Sequence, residues 1–534
     1  MSLQEKFFGL ERFQLRVNLW DRSNYLFLCI IPGKTASQFC RKCSKVGLMF
    51  DLVSHYWPHI LAVLSIVLGA IAAIHATMTK DEVRTALGWV GVIVLSPIVG
   101  AVVYALAGVN RIRRSTLGHQ RDNMGNIALY HLSHFDTTND LVRAAFGRQF
   151  GAMKILGDTV SLYDFTSGNS IKMLETGDEA YAEMLEAIRK AERSIMLETY
   201  IFDRDAIGEQ FADALGEAVK RGVEVRVLVD AVGARYSIPS IVSLLKEKGI
   251  SVDVFNGNII MGLRLPYANL RTHRKILIVD GKLAFTGGMN IRAGFVKAIA
   301  GDAVAFDTHF HVEGPAIADL FHVASEDWRF ATGELLTGDA WSIAAPKDPP
   351  GTGKLIRVVG SGPDKNIETN HRMMMGAFSI AQEHILIMSP YLLPDRELIS
   401  ALVTAARRGV SVDVVVPGVN NLKLVDRAMR AQFDQLLKGG CRIWRAGGAF
   451  NHSKLMTIDG AWSYVGSSNL DARSLRLNFE VDMEILDREI ALQVEERIGK
   501  VIDVSREVNL TRLKNRPFYE RLIDRIIWLG SPYL

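Results

Sequence analysis

Two stretches decide how this chain is read. The first is Arg271-Thr272-His273-Arg274-Lys275-Ile276-Leu277-Ile278-Val279-Asp280, followed by Gly287-Gly288-Met289-Asn290. The second is Phe450-Asn451-His452-Ser453-Lys454-Leu455-Met456-Thr457-Ile458-Asp459, followed by Gly466-Ser467-Ser468-Asn469. Each carries His-x-Lys-x4-Asp and then a Gly-Gly/Ser-x-Asn turn. The two histidines, and likewise the two asparagines, are 179 residues apart. Two copies in register mark a duplicated unit.

The flanks repeat as well. Met196–Asp203 is strand-like, Glu209–Arg221 helix-like with a stop at Gly222, and Val223–Asp230 alternates as a strand does. Ile385–Leu393, Glu397–Arg408, Gly409 and Val410–Val416 follow the same order. Lys220-Arg221-Gly222-Val223 answers Arg407-Arg408-Gly409-Val410, although glycine after a basic last turn is an ordinary helix end. From that glycine to the histidine the copies differ, 51 residues against 43, so insertions sit there. Gly333–Gly353, rich in Gly and Pro, reads as the linker. The class is α/β, with domains at 115–340 and 341–534.

With His and Lys two apart on a strand, both side chains face one way. The Asn of the turn joins them. Imidazole, ammonium and carboxamide together suit a phosphate: Lys275 and Asn290 would hold the non-bridging oxygens while His273 attacks or moves a proton. Lys454, Asn469 and His452 would do the same in the second copy. One copy cannot both attack and protonate a leaving group, whereas two facing copies can, through a phosphohistidine. Glu480 and Asp307 are candidates to orient the imidazoles and complete the substrate site. Asp280 and Asp459 belong to the motif and so to the candidate catalytic set, but their place at a strand end also suits fixing a turn or pairing a cation.

Other features read as structural. His309 and His311 alternate as strand residues, and Met373-Met374-Met375 suits helix packing. Cys40 and Cys43 form a C-x-x-C without two further ligands, so no metal is expected, and Cys29 and Cys441 read as ordinary thiols.

The 534 residues carry 62 basic and 58 acidic side chains, a balance that gives no argument for nucleic acid. The mean hydropathy of +0.13 is high for so charged a chain. The excess lies in Leu52–Thr79 and Thr85–Asn110, which contain no Lys, Arg, Asp or Glu. Each exceeds the roughly 20 residues that cross a bilayer. Lys34, Arg41, Lys42 and Lys45 precede the first, and Arg111, Arg113, Arg114 and Arg121 follow the second. A multi-pass hairpin over 51–114 is therefore expected, with both ends and the catalytic remainder in the cytoplasm. Residues 1–50, with Phe7, Phe8, Leu10, Phe13 and the short apolar run Tyr25–Ile31, suit an interfacial segment. Arg512–Leu529 reads as a basic amphipathic helix with Phe518, Leu522, Ile526 and Leu529 on one stripe, suited to anionic lipid or to packing on the catalytic domain.

The duplicated motif resembles the phospholipase D superfamily. More narrowly, the chain resembles bacterial cardiolipin synthases from about residue 52 onward, through Gly108-Val109-Asn110-Arg111, Ser389-Pro390-Tyr391, Gly466–Ser474 running into Asn478-Phe479-Glu480, and Ser531-Pro532-Tyr533-Leu534. The resemblance implies two such domains packed with pseudo-twofold symmetry in the bacterial inner membrane. It implies transfer of a phosphatidyl group between two phosphatidylglycerol molecules, releasing glycerol, without metal or other cofactor. It implies His273 as nucleophile and His452 as acid and base. Self-association into a homo-oligomer is compatible with it. A membrane-anchored phosphodiesterase, or transfer to another headgroup alcohol, is the enzymatic alternative. A non-catalytic scaffold disagrees with two intact motifs. Gly288-Met289 stands where the superfamily turn has a small hydroxyl.

Overall fold

The computed structural model describes residues 36–80, 82–108, 130–256, 270–364 and 366–531, with backbone alone for 36–54 and 107. The chain divides into two compact units, Met1–Asn110 and Arg111–Leu534. In the first, α1 (Ala36–Thr79) contains His55–Thr79, long and apolar enough to cross a membrane. The second apolar stretch, expected as one helix, is broken into α2 (Val83–Leu95) and α3 (Pro97–Val103), followed by a π-turn over Tyr104–Gly108. Proline is the cause. Pro97 lacks an N–H and drives the residue before it out of the helical region, and Ser96 lies at φ −148°, ψ 80°. Gly100 permits the bend, since a Cβ there would sit 2.6 Å from the Val92 carbonyl oxygen. Within this unit α1 packs on both α2 and α3, and His75 Nδ1 lies 2.8 Å from the Tyr104 hydroxyl. The expected interfacial segment up to Ile31, Cys29, Lys34 and the basic cluster Arg111–Arg121 lie outside the described residues, as do the side chains of Arg41, Lys42, Lys45, Cys40 and Cys43.

The second unit is mixed α/β and internally duplicated. Its first half runs β1 (Thr166–Leu174), α4 (Gly177–Lys190), β2 (Ser194–Thr199), α5 (Ala206–Lys220), β3 (Glu224–Asp230), β4 (Ser251–Phe255), β5 (Ile276–Val279), β6 (Leu283–Gly287), β7 (His309–Glu313) and α6 (Ala316–Thr332). The second half runs β8 (Lys354–Ser361), α7 (Thr369–Ile380), β9 (His384–Met388), α8 (Arg396–Arg407), β10 (Ser411–Pro417), α9 (Lys423–Gly439), β11 (Arg442–Ala446), β12 (Leu455–Ile458), β13 (Trp462–Gly466), β14 (Asn478–Leu486), α10 (Arg488–Asp503) and α11 (Phe518–Trp528). Strand order is 1-7-6-5-2-3-4 in one half and 8-14-13-12-9-10-11 in the other, the same path twice. Antiparallel pairing of β1 with β8 joins the halves into one continuous sheet.

Helices cover both faces of that sheet. On one face α6 and α10 share a single core that spans both halves, including Met196, Ile278, Phe321, Val481 and Ile498. On the other, α4 and α5 cover the first half and α7, α8 and α9 the second. β2 is therefore buried along its whole length, with Ile195 and Leu197 in one core and Met196 in the other. The weak Lys/Arg-Arg-Gly-Val match now has a cause. Arg221 donates to the carbonyls of Ile188 and Ala191 at the end of α4, and Arg408 to those of Phe378 and Ala381 at the end of α7. Gly222 and Gly409 then take φ +90° and +97° to leave the helix. Asp205 and Asp395 cap α5 and α8 alike, each accepting two backbone N–H groups. Met373 and Met374 are buried in α7. His309 lies in β7, buried, where burial lowers its imidazole to about 4; His311 on the same strand faces Glu183 at 3.1 Å.

The expected linker holds only a short 3-10 turn, Asp339–Trp341. It is fastened to the first half by Arg193 to Ser342 Oγ at 2.8 Å and by Trp341 to Glu224 at 2.9 Å. Beneath the sheet join, the fully buried Arg357 of β8 pairs with Asp158 at 2.5 Å and with buried Glu484 of β14 at 3.3 Å. Removing one partner strands the other charge in an apolar core. Arg357→Ala should cost about 3–5 kcal/mol of stability, measured by chemical denaturation in detergent; a loss under about 1 kcal/mol would contradict this reading of the pair.

Candidate active site

His273-Arg274-Lys275 does not lie on a strand, as the spacing predicts. It is an irregular step between the two-residue strand Arg271–Thr272 and β5, and His452-Ser453-Lys454 is the same step before β12. The reason is that each histidine must serve the other half. The Arg271–Thr272 strand pairs with the start of β14, and His273 N donates to the Phe479 carbonyl at 2.8 Å. Asn451 bridges to Phe306, and His452 N donates to the Phe306 carbonyl at 2.6 Å.

The side chains cross in the same way. His273 Nδ1 lies 2.9 Å from Glu480 Oε2, and His452 Nδ1 lies 2.7 Å from Asp307 Oδ2. Each imidazole of one half is held by a carboxylate of the other. Both carboxylates are fully buried, and neither is among the residues that line the cleft. A carboxylate only accepts, so Nδ1 carries the proton and Nε2 is the bare nitrogen. Ser467 donates to Glu480 Oε2 at 2.6 Å. In the first half Gly288 takes that place, because a Cβ there would sit 2.3 Å from Asp307 Oδ1. Glycine thus goes with the shorter acid and serine with the longer.

Lys275 Nζ donates to the His273 carbonyl at 2.5 Å, and Lys454 Nζ to the His452 carbonyl. Lys454 Nζ also crowds the His452 ring, 2.7 Å from Nδ1 and 3.7 Å from Asp307. All four groups are buried, and the electrostatics follow. Burial and then Lys454 hold His452 at about 4, while burial and both lysines hold His273 well below its usual range. Both imidazoles are neutral at pH 7. Burial lowers Lys275 to about 7 and Lys454 to about 8. Burial pushes Asp307 up, but Lys454 and His452 outweigh it and keep the carboxyl at about 2. Burial raises Glu480.

His273, His452, Asn290 and Asn469 line one cleft of about 510 Å³. Asn290 Oδ1 accepts the Ile201 N–H at 3.0 Å, which leaves its Nδ2 for the cleft; Asn469 Nδ2 donates to Ser474 at 3.3 Å. Tyr200 and Tyr391 stand edge-on to His273 and His452, with ring centroids 5.0 and 6.2 Å away. Three arginines not singled out in the sequence line the cleft as well: Arg271, Arg292 and Arg473. Arg292 pairs with Asp203 at 3.0 Å, whereas Arg473 makes no ion pair or side-chain hydrogen bond among the described residues. For Arg292 and Arg473 the available signal was their place, two and four residues after the motif asparagines. Among the described residues, His371, Asp395 and Glu397 cluster closely enough to surround an ion, but they lie away from the cleft, and Arg476 approaches Asp395 at 3.6 Å.

Asp280 and Asp459, the other two members of the motif, stand apart from the cleft, at the turns that they were also expected to fix. Asp280 accepts the backbone N–H groups of Glu192, Arg193 and Ser194 at 3.0, 2.7 and 3.0 Å. Asp459 accepts those of Gln382, Glu383 and His384 at 2.8, 2.9 and 3.0 Å. Each ties the entry of a central strand to the turn after the motif, at φ +54° and +51°. Neither lines the cleft.

The fold and the crossed histidine pairs define a phospholipase D-like enzyme with one active cleft built from two halves. A family model described as cardiolipin synthase, phospholipase D-like domain matches residues 184–301 and 374–502, and a phospholipase D-nuclease N-terminal model matches 63–108. The cardiolipin synthase of Alkalihalophilus pseudofirmus is 31% identical over 84% of this chain and 88% of its own length. Cardiolipin synthase A of Pectobacterium carotovorum is 30% identical over 90% and 98%. The crystal structure of a phosphatidylserine synthase from Haemophilus influenzae shares the fold, with a TM-score of 0.54 at 16% identity over 72% of this chain and all of that one. The chain belongs to the cardiolipin synthase family.

Two outcomes follow from this geometry. Asp459→Ala should lose about 2–4 kcal/mol of stability by leaving three N–H groups unpaired, while kcat per folded molecule stays within about threefold of wild type. A larger fall in kcat, with stability unchanged, would return Asp459 to the catalytic set. The profile of kcat/KM, which reports the free enzyme, should decline as pH rises through 7 to 8, where Lys275 and Lys454 lose their protons. A profile flat to pH 9 contradicts that assignment.

Proposed function

We propose that this chain joins two phosphatidylglycerol molecules into cardiolipin and glycerol through a phosphohistidine. Relatives of about 30% identity over most of the chain bear the name cardiolipin synthase, and this chain is a phosphatidyltransferase of that kind. The observation that carries the mechanism is the pair of crossed histidine–carboxylate contacts at one cleft, with Lys275 and Lys454 buried beside the two histidines.

His273 Nε2 attacks the phosphorus of the first lipid, and the bond to the glycerol headgroup oxygen breaks. That oxygen takes a proton from His452. The headgroup hydroxyl of the second lipid then attacks the same phosphorus, returns its proton to His452, and the phosphorus–nitrogen bond breaks. Atoms and charge balance over the two steps. The assignment of His273 as nucleophile and His452 as acid and base is supported by their carboxylates: Asp307, held at about 2, keeps its charge beside an imidazolium at His452, while burial raises Glu480. The phosphodiester's own negative charge favours protonated His452 once substrate is bound. Lys275, Lys454 and the two asparagines serve the non-bridging oxygens. Two lipids bring two phosphodiesters, and Arg473, which lines the cleft and has no ion pair among the described residues, is suited to the second.

The same reading keeps domains at 115–340 and 341–534, related by a pseudo-twofold axis through the cleft; the repeated strand order and the crossed contacts support it. It takes the first unit as a membrane hairpin, supported by the packing of α1 on α2 and α3, with both ends in the cytoplasm, supported by the basic residues that flank the apolar stretches.

Labelled phosphatidylglycerol supplied to the purified protein should yield cardiolipin plus glycerol. Phosphatidic acid as the main product would favour the hydrolytic alternative. His273→Ala and His452→Ala should each abolish turnover, and activity unchanged in both would end the mechanism. Arg473→Gln should raise the half-saturating phosphatidylglycerol concentration about tenfold, roughly 1.4 kcal/mol, and shift product toward phosphatidic acid.

A further inference from the structure

The C-terminal helix is turned inside out. In α11 the most buried side chain is a carboxylate, Asp524, 2% exposed, held by Arg516 at 2.7 Å and Arg427 at 3.7 Å. The large apolar side chains point outward: Phe518, Leu522, Ile526 and Leu529 are 70, 46, 58 and 72% exposed. Their spacing of four, four and three residues makes one continuous stripe. Ile527 and Trp528, on the back of the helix, pack against the core that α9 belongs to. Pro517 separates α11 from the short helix Leu510–Lys514, so the helix expected over Arg512–Leu529 is two pieces. Singly scattered exposed apolar residues are ordinary, but a contiguous stripe marks a contact surface.

The surrounding charge selects the occupant. A groove of about 310 Å³ between α9 and α11 is lined by Lys514, Arg516, Arg521 and Arg525 beside Phe518 and Leu522. Its acids are already engaged, Asp524 by Arg516 and Asp434 by Arg525 at 3.2 Å. Arg512, Lys514 and Arg521 are exposed and form no ion pair among the described residues. A second copy would bring like charges together, which disfavours self-association through this face. A bilayer bearing anionic headgroups satisfies both the stripe and the cations.

We propose that α11 is a membrane-docking helix of the catalytic unit, with its apolar stripe in the interface of an anionic bilayer and the basic groove on a lipid phosphate. This stands apart from the reaction proposed above, because docking can be read without turnover.

The test uses the full chain with benzoylphenylalanine in place of Leu522 or Ile526, reconstituted in vesicles of phosphatidylglycerol and phosphatidylcholine. Irradiation should attach a phospholipid to the α11 segment. The yield should fall at least about fivefold in pure phosphatidylcholine, or with Arg512→Gln, Lys514→Gln and Arg521→Gln combined. The same probe in place of Ile71 of α1, whose side chain is 61% exposed, serves as the lipid-facing control. A product of dimer size, or no lipid adduct at either position while the control captures lipid, overturns the docking. Adducts formed equally in neutral vesicles overturn the headgroup site. Loss of cardiolipin synthesis in the parent protein would leave each of these outcomes readable.

Discussion

The rest of the structure depends on one constraint: each motif imidazole is held by a carboxylate that belongs to the other half. His273 finds Glu480 and His452 finds Asp307 only because the chain steps off the strand before β5 and β12 and reaches across. The backbone makes the same crossing, with each histidine N–H on a carbonyl of the opposite half. Neither half is a complete site. The continuous sheet, the β1–β8 join and the core shared by α6 and α10 hold two incomplete halves in fixed relation. An orientation error of about an ångström would cost both hydrogen bonds and the alignment of both rings.

Burial is the second half of the design. In water an imidazole titrates near about 6.5 and an ammonium group near about 10.4. Here desolvation lowers His452 to about 4 and Lys275 to about 7, while Asp307 stays ionised because a lysine and a histidine face it. The halves are not interchangeable. Gly288 leaves room for Asp307, and Ser467 reaches Glu480. Arg292 is paired, whereas Arg473 has no ion pair among the described residues. A duplicated scaffold thus presents two chemically different faces to one cleft.

Much of this was legible in the chain itself, for reasons particular to each signal. The repeat was visible because spacing in register survives divergence of the residues between. The α/β class was visible because Met196–Asp203 and Val223–Asp230 carry strand patterning around an amphipathic helix. The motif aspartates stood open between two readings, since a carboxylate in such a motif looks the same whether it meets substrate or caps three N–H groups, as Asp280 and Asp459 do. The second apolar stretch misled. Hydropathy counts apolar residues, but Pro97 breaks the helix through backbone geometry. Arg271, Arg292 and Arg473 gave little signal, because a lone arginine beside a turn is usually solvated.

The sequence by itself therefore determined the duplication, the fold class, the histidine and lysine chemistry and the apolar N-terminal region, since each is a local pattern of period or spacing. Only the tertiary structure decided which acid serves which histidine, that the motif aspartates are fasteners, that three arginines share the cleft, and that the C-terminal stripe faces outward. Those facts depend on residues about 150 to 200 positions apart meeting in space, or on which side of a helix the core happens to cover, and no periodicity along the chain records either.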